Sequence, residues 1–452
     1  MATRITRRTF LRSVGAGAAA VHVVGAHVIG GEGKTPPSET LTLAGIGCGG
    51  QGGHDIHKIA SLGQNFVALC DVDDNRAGKT YKHFPKAKTY RDFRKMLDEV
   101  EGQIDGVVVG IPDHTHTVVA MNAMKRGKHI YCEKPLAHSV WEVRQLMKAA
   151  REAKVVTQLG NQGHSSEHIR LFVEWVRDGA IGQVHTVHAG CGAFKNVYCQ
   201  INKLPELEKR PEVPGHLDWD LWLGPAALRP YSPVFVPWNW RGWTPFGTGC
   251  IGDWVCHVID PSFWALDLGA PASVKAEVDG YDPKKHHLCY PPATKITYEF
   301  PANGKRGPVT LIWYDGKNTI PRPEELGEKR RVPDTGAVVI GSKGKIMHGS
   351  HGAGGCRLIP EAAMKAYQLP EKTIPRTRGH HEDWVDAIRE GRKAGSDFAD
   401  YGGPLTEIAL LGMIAIWYPT QTLRWDAEKM QFTNFSEANK QLTPEYRKGW
   451  TL

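Results

Sequence analysis

The sequence predicts an α/β protein in two parts: an N-terminal doubly wound parallel sheet, then a C-terminal α/β domain built on a large, mostly antiparallel open sheet. Three observations carry this expectation. Short apolar runs alternate with helically spaced segments through about residue 160, the pattern of parallel strands joined by crossover helices. A glycine-rich turn, Gly47-Cys48-Gly49-Gly50-Gln51-Gly52, follows the first apolar run. Further on, aromatic and turn-rich stretches are broken by apolar runs of strand length at 184–187, 272–278, 296–300, 309–314 and 337–340, which suit an antiparallel sheet.

Residues 1–35 are set apart from both domains. Thr6-Arg7-Arg8-Thr9-Phe10-Leu11-Arg12 precedes a small, apolar run over 14–29, the basic-then-hydrophobic order of a secretory leader. The paired arginines point to the twin-arginine (Tat) export machinery, a receptor-read address rather than an anchor. The expected location is the periplasm or elsewhere outside the cytoplasm, with no stable membrane anchor. Arg4, Arg7, Arg8 and Arg12 supply half of the formal charge of +8, and the remaining cations are dispersed, which argues against a nucleic-acid partner. The nine cysteines include no Cys-x-x-Cys pair, so neither a structural zinc site nor a thioredoxin-like motif is expected. Export permits a disulfide, for which Cys191 and Cys199 are a candidate pair mid-chain. Otherwise the thiols read as small buried hydrophobes.

The first domain is expected over residues 36–160. An apolar run at 41–46 enters the glycines, and 54–62 has the spacing of a helix leaving them. Further strands are read at 66–70, 104–109, 129–132 and 155–159, with a helix at 118–126. The pattern Gly-x-Gly-x-x-Gly fits at Gly47, Gly49 and Gly52, and also at Gly45, Gly47 and Gly50. The first register is preferred because it sets a glycine at the turn just after the strand. There glycines allow a tight turn and close approach of backbone to a pyrophosphate, which the helix N-terminus faces, as in a Rossmann domain. Gly50 and Gln51 lie inside the same turn. Asp71 ends the second strand, where a carboxylate accepts both ribose hydroxyls and repels a 2′-phosphate, favouring NAD over NADP. Soluble nicotinamide cofactor is scarce outside the cytoplasm, so an exported protein of this kind is expected to hold NAD tightly and regenerate it within its own cycle.

The second domain is expected over 161–452, ending in helical segments at 380–392 and 405–417. Seven of the 14 tryptophans fall between Trp219 and Trp264. Aromatic faces pack on pyranose C–H faces, so Trp240, Arg241 and Trp243 are candidate substrate contacts, with a packed core as the alternative. Trp219, Trp222 and Trp264 read as core. Asn161, Gln162 and His164 follow a parallel strand, where open α/β sheets form pockets.

Pro112-Asp113-His114-Thr115-His116, Glu133-Lys134-Pro135, Gly247-Thr248-Gly249 with Asp253-x-x-x-His257-x-x-Asp260, His381-Glu382-Asp383-Trp384 and Gly402-Gly403-Pro404-Leu405 occur in that order. Together they resemble the glucose–fructose oxidoreductase / inositol dehydrogenase / rhizopine-catabolism (Gfo/Idh/MocA) family across nearly the whole mature chain. The resemblance implies an open C-terminal sheet used for homo-oligomerisation, and Pro112 and His116 on the cofactor side. It also implies Glu133-Lys134-Pro135 beside the nicotinamide, with Lys134 reaching the substrate hydroxyl and a cis bond before Pro135. The chain lacks the arginine-containing segment that many sugar dehydrogenases of the family carry near Asn161.

Oxidising a sugar alcohol needs a base for the hydroxyl proton as hydride leaves carbon. His257 is the candidate base, with Asp253 four residues earlier expected to orient and help charge it. Lys134 is expected to stabilise developing alkoxide. A surface ion pair is the alternative for Asp253 and His257, and apolar Trp254, Val255, Val258 and Ile259 around them oppose it. No metal is expected, because His164 joins no His-x-x-x-His or paired-carboxylate pattern. His286-His287 and His380-His381 read as solvent-facing or helix-start residues. The expected activity is NAD-dependent oxidoreduction of a carbohydrate or polyol hydroxyl. Alternatives are a glycosidase working by oxidation, elimination, addition and reduction, as in the NAD-dependent α-N-acetylgalactosaminidases, and a non-catalytic sugar-binding protein.

Overall fold

The computed structural model describes residues 39–192 and 197–452. The leader expected over 1–35 lies outside the described residues. The run Thr42–Ile46 (β1) buries four of its five residues, as a strand covered on both faces must. It feeds the helix Gly50–Ser61 (α1), and the alternation continues through β2 (Asn65–Cys70), α2 (Asp74–His83), β3 (Lys88–Tyr90), α3 (Phe93–Val100) and β4 (Gly106–Val109). It ends with α4 (Asp113–Lys125), β5 (His129–Cys132), α5 (Val140–Ala153) and β6 (Thr157–Leu159). The strands form one parallel sheet in the order β3-β2-β1-β4-β5-β6. Strand order reverses between β1 and β4, and the crevice beyond that switch point is where open α/β sheets bind ligands.

Local chemistry explains the helix starts. The Asp73 carboxylate accepts from the Asn75 and Arg76 N–H groups at the head of α2, and Ser139 caps α5 through Glu142 N–H, each supplying an acceptor the first helical turn lacks. α1 starts at Gly50, four residues ahead of the sequence-based start, and its capping residue Gly49 offers no side-chain acceptor.

Among the described residues, a second sheet holds nine strands in the order β13-β12-β11-β7-β10-β9-β8-β14-β15. These are β7 (Val184–Cys191), β8 (Ser273–Asp279), β9 (Ala293–Phe300), β10 (Val309–Asp315), β11 (Thr335–Gly341), β12 (Gly344–Gly349), β13 (Arg357–Ile359), β14 (Thr422–Asp426) and β15 (Gln431–Phe432). Among the described residues, β10 pairs with β7 in parallel and the other pairs of this sheet are antiparallel. The helices that position the site are α6 (Glu167–Arg177), α7 (Gly249–Val258), α8 (Asp260–Leu266), α9 (His380–Glu390) and α10 (Gly403–Trp417). α10 is apolar around most of its circumference and buries 13 residues, as a helix enclosed on all sides should; it packs on α7, β8 and α5.

The C-terminal segment then returns to the first sheet. Leu159 N–H donates to Ser396 O (2.9 Å), Thr157 Oγ1 donates to Asp397 Oδ2 (2.8 Å) and Gln158 Nε2 donates to His380 O (3.2 Å). This capping of β6 makes His380 and His381 buried residues of a helix start, correcting the solvent-facing option. All nine thiols are free, so Cys191 and Cys199 are not bridged. Among the described residues no helix is long and apolar enough to cross a membrane.

Candidate active site

A cleft of 740 Å³ opens beyond the switch point. Gly47, Gly49, Gly50 and Gln51 line one end with Asp71, and Glu133, Lys134, Gln162, Asp253 and His257 line the cleft as well. Gly47 has φ +84°, and a Cβ there would stand 2.2 Å from Gly110 O. A Cβ on Gly52 would stand 2.2 Å from Gly47 O, so Gly52 serves helix-to-strand packing and does not line the cleft. With no capping side chain and no acid in its first turn, α1 leaves its leading N–H groups to an external anion. The Asp71 carboxylate accepts from Cys48 N–H (2.8 Å) and Asp73 N–H (3.0 Å), bracing the turn and keeping lone pairs for ribose hydroxyls. Burial raises its pKa to about 6. Arg76 lines the cleft beside it and stacks 5.1 Å from the Trp238 ring. These features fit a dinucleotide.

At the other end Lys134 Nζ is ion-paired to Asp253 Oδ1 and donates to Asp253 O (3.1 Å). The Lys134–Pro135 peptide is cis. Asp253 Oδ2 accepts from Tyr198 Oη and lies 3.4 Å from Arg241 Nε. Burial alone would raise the Asp253 carboxyl, but Lys134 and Arg241 reverse that and hold it well below the carboxylate range. Burial likewise opposes charge on Lys134, and Asp253 and Glu133 outweigh it, so its pKa rises. Asp253 therefore bonds Lys134, Tyr198 and Arg241, which corrects the expectation that it orients His257; its charge still favours the imidazolium, but stronger effects oppose it. Burial, then Lys134, then His351 push His257 well below its ordinary value. Its Nδ1 is buried with no hydrogen-bond partner among the described residues. The site thus pairs a protonated lysine with a neutral imidazole.

Other expected residues prove to be supports. His116 is buried, with Nδ1 2.7 Å from Pro135 O and Nε2 2.8 Å from Ile111 O. It braces the Lys134–Pro135 turn and does not line the cleft, whereas Pro112 does. Asp113 Oδ2 accepts from Thr248 N–H (3.1 Å) and Oγ1 (2.7 Å), anchoring the head of α7 to α4 and so placing Asp253 and His257 over the first sheet. Asn161 Nδ2 donates to Asp260 Oδ2 (3.3 Å), and His164 Nδ1 lies 3.0 Å from Asp260 Oδ1; both are buried behind the cleft. Only Gln162 of that segment lines it. Trp243 is fully buried, its Nε1 donating to Val234 O (3.0 Å). Trp240 and Arg241 do line the cleft, stacked 4.2 Å apart.

Sequence reasoning missed Tyr198, Arg76, Trp238 and, above all, His351. The His351 ring stacks on His257 at 4.1 Å and 22° and meets the edge of Trp254 at 5.6 Å. Its backbone is left-handed at φ +54°, a conformation that is costly for a residue with a Cβ and that concentrates at functional sites. The available signal was a lone histidine in the glycine-rich run Gly349-Ser350-His351-Gly352-Ala353-Gly354-Gly355. Trp238 is 47% exposed at the cleft rim, unlike the core tryptophans.

A dinucleotide turn, a switch-point cleft and an ionised Lys–Asp pair beside a neutral histidine define a redox-type α/β protein. Residues 41–161 match the family model described as oxidoreductase family, NAD-binding Rossmann fold, and residues 174–452 match its C-terminal alpha/beta domain. The chain belongs to the Gfo/Idh/MocA oxidoreductase family. It is 24% identical over 218 residues to levoglucosan dehydrogenase of Pseudarthrobacter phenanthrenivorans, covering 48% of this chain and 46% of that one. It is 28% identical over 159 residues to inositol 2-dehydrogenase 2 of Saccharopolyspora erythraea, covering 34% and 46%. The chain thus spans about half the length of these curated relatives. The aldose-aldose oxidoreductase of Caulobacter crescentus shares the fold, with TM-score 0.56, 17% identity and coverage of 85% of this chain and 100% of that one.

Proposed function

We propose that this protein interconverts a secondary hydroxyl and a ketone on a carbohydrate or polyol, with NAD as hydride partner. The observation that carries the reading is the placement of Lys134, Asp253 and His257 in one cleft with the uncapped glycine turn. The related levoglucosan and inositol dehydrogenases are named for substrates of this class. When bound, NAD supplies the hydride acceptor. Lys134, kept cationic by Asp253, donates to the substrate oxygen and stabilises charge as it develops there. His257, kept neutral, takes the hydroxyl proton. Arg241, Trp240 and Trp238 offer a donor and ring faces to the sugar. The leader motif Arg7-Arg8 with the apolar run 14–29 supports an exported enzyme with a resident cofactor that is reduced and reoxidised within one cycle.

The test is to mix nucleotide-loaded protein with a panel of glycosides and polyols, following reduced-nicotinamide absorbance and the sugar products. A keto sugar supports the reading. Release of aglycone with no net change in cofactor would replace it with the glycosidase, and binding without any turnover would replace it with a sugar-binding role. Cell fractionation with Arg7→Lys/Arg8→Lys tests export: the reading expects the variant to stay inside, and parent protein retained inside would refute it.

A further inference from the structure

His257 is read above as the base, yet no carboxylate orients its ring. Asp253, one helical turn earlier, is engaged by Lys134, Tyr198 and Arg241, and His257 Nδ1 is buried with no hydrogen-bond partner among the described residues. A base imidazole is ordinarily oriented by a hydrogen bond to the nitrogen that faces away from substrate. Ring contact takes that place here. The His351 ring lies nearly parallel to that of His257, with centroids 4.1 Å apart at 22°. Trp254 meets both edge-on, at 6.0 Å and 72° to His257 and at 5.6 Å and 88° to His351. Its Nε1 donates to Tyr198 Oη (2.8 Å), which ties the three rings to the carboxylate of Asp253.

The turn that carries His351 is closely fitted. β12 ends at Gly349, whose N–H donates to Gly354 O (2.9 Å) and closes the bend. Gly163, in the segment after β6, and Gly352 leave no room for a side chain between them. A Cβ on Gly163 would stand 2.2 Å from the His351 carbonyl carbon, and one on Gly352 would stand 2.1 Å from Gly163 O. Ser166 Oγ donates to Gly352 O (2.9 Å), and Ser350 Oγ lies 2.9 Å from His351 Nδ1. His351 is exposed and lines the cleft, so burial does not offset its left-handed backbone at φ +54°. Glycine would hold that backbone with less strain. Stability therefore does not account for a histidine at this position.

We propose that His351 is the positioning residue of the base: its ring, carried on the interlocked glycine turn, holds the His257 imidazole in the orientation from which it takes the hydroxyl proton, where a carboxylate would ordinarily do so. The inference rests on the reading of His257 as the base. His351 itself makes and breaks no bond; the hydroxyl proton passes to His257 and the hydride to the nicotinamide. A parallel stack fixes the tilt of the ring without a hydrogen bond to its nitrogens, which suits an imidazole that burial keeps neutral. Without the stack the side-chain torsions of His257 are freer, and a misplacement of about 1 Å is enough to slow a reaction by about 10²-fold.

The test compares the parent with His351→Gly and His351→Phe. Nicotinamide reduction in nucleotide-loaded protein, at about pH 8 where the base is neutral, gives the limiting rate and the half-saturating sugar concentration. NMR of histidine-labelled protein, with His257 assigned through His257→Asn, reads the ring-current shift that the stack imposes. His351→Gly should lose that shift and lower the limiting rate by about tenfold or more, with the half-saturating concentration within about twofold of the parent. His351→Phe keeps a ring on His257 and should return the rate to within about threefold of the parent. Gly163→Ala is an independent check, because its Cβ meets the His351 backbone rather than the ring; displacement of the turn should reproduce the His351→Gly result. An unchanged His257 signal and rate in folded His351→Gly would overturn the inference. So would His351→Phe as slow as His351→Gly, or a loss confined to the half-saturating concentration, either of which would make His351 a substrate contact. No turnover of any sugar by the parent would overturn the oxidoreductase reading instead, and the NMR comparison would still decide whether the stack orients His257.

Discussion

On the proposed reading, replacing Lys134 with alanine removes the ammonium that stabilises charge on the reacting oxygen. Lys134 is 13% exposed and paired to Asp253. At an effective dielectric of about 20, unit charges 4 Å apart interact by about 4 kcal/mol, so a partial alkoxide charge draws about 3 kcal/mol from the ammonium. That corresponds to about 10²-fold in rate, close to the loss of one oxyanion-hole donor. Asp253 keeps Tyr198 and Arg241 and stays ionised, leaving an anion where a cation had faced the oxygen, so kcat in Lys134→Ala should fall by about 10³-fold or more. A second readout separates this from general damage. Lys134 helps hold His257 below its ordinary pKa, so without it that pKa rises, the neutral base form is lost at higher pH, and the acid limb of the kcat profile moves up. The assay is single-turnover nicotinamide reduction across pH, with nucleotide content measured in parallel. A kcat within tenfold of the parent, or a loss explained by an empty nucleotide site, would refute the reasoning.

His351→Gly relieves the left-handed strain at φ +54°, worth about 1 kcal/mol, while removing the ring stacked on His257. Thermal melting should show unchanged or higher stability, and kcat/KM should drop by about tenfold or more. Asp71→Ala removes the carboxylate and leaves Arg76 in the cleft; competitive titration should show weaker NAD binding by about tenfold and a narrowed preference over NADP. Gly47→Ala drives a Cβ to 2.2 Å from Gly110 O at positive φ, so calorimetry should find nucleotide binding lost and stability lowered by about 2 kcal/mol or more.

The parallel half of the fold was legible because each strand is a short apolar run closed by a turn signal, and because Gly47 and Asp71 mark the ends of β1 and β2. The edge strand β3 carries two exposed residues of three, so no apolar run announced it. Helix spacing correctly put Asp253 and His257 on one helix, but spacing does not say which neighbours come from elsewhere. Lys134 and Tyr198 are 119 and 55 residues away from Asp253 and take the carboxylate that sequence proximity had assigned to His257. Likewise Asn161 and His164 stand at a strand end as the pocket rule requires, yet Asp260 on α8 draws both inward. His351 escaped because a bend at glycines, rather than a periodic element, brings it to the cleft. The tryptophan-rich segment divided by burial: Trp238 reaches the rim while Trp243 fills the core, a distinction composition does not carry.

The central claim is that the switch-point cleft holds NAD as a resident hydride carrier. Protein purified without added nucleotide, then denatured and assayed enzymatically for released NAD and NADH, tests it most directly. The account predicts about one nucleotide per chain, at a Kd in or below the nanomolar range that survives purification. An empty cleft that also fails to bind added NAD or NADH would contradict it.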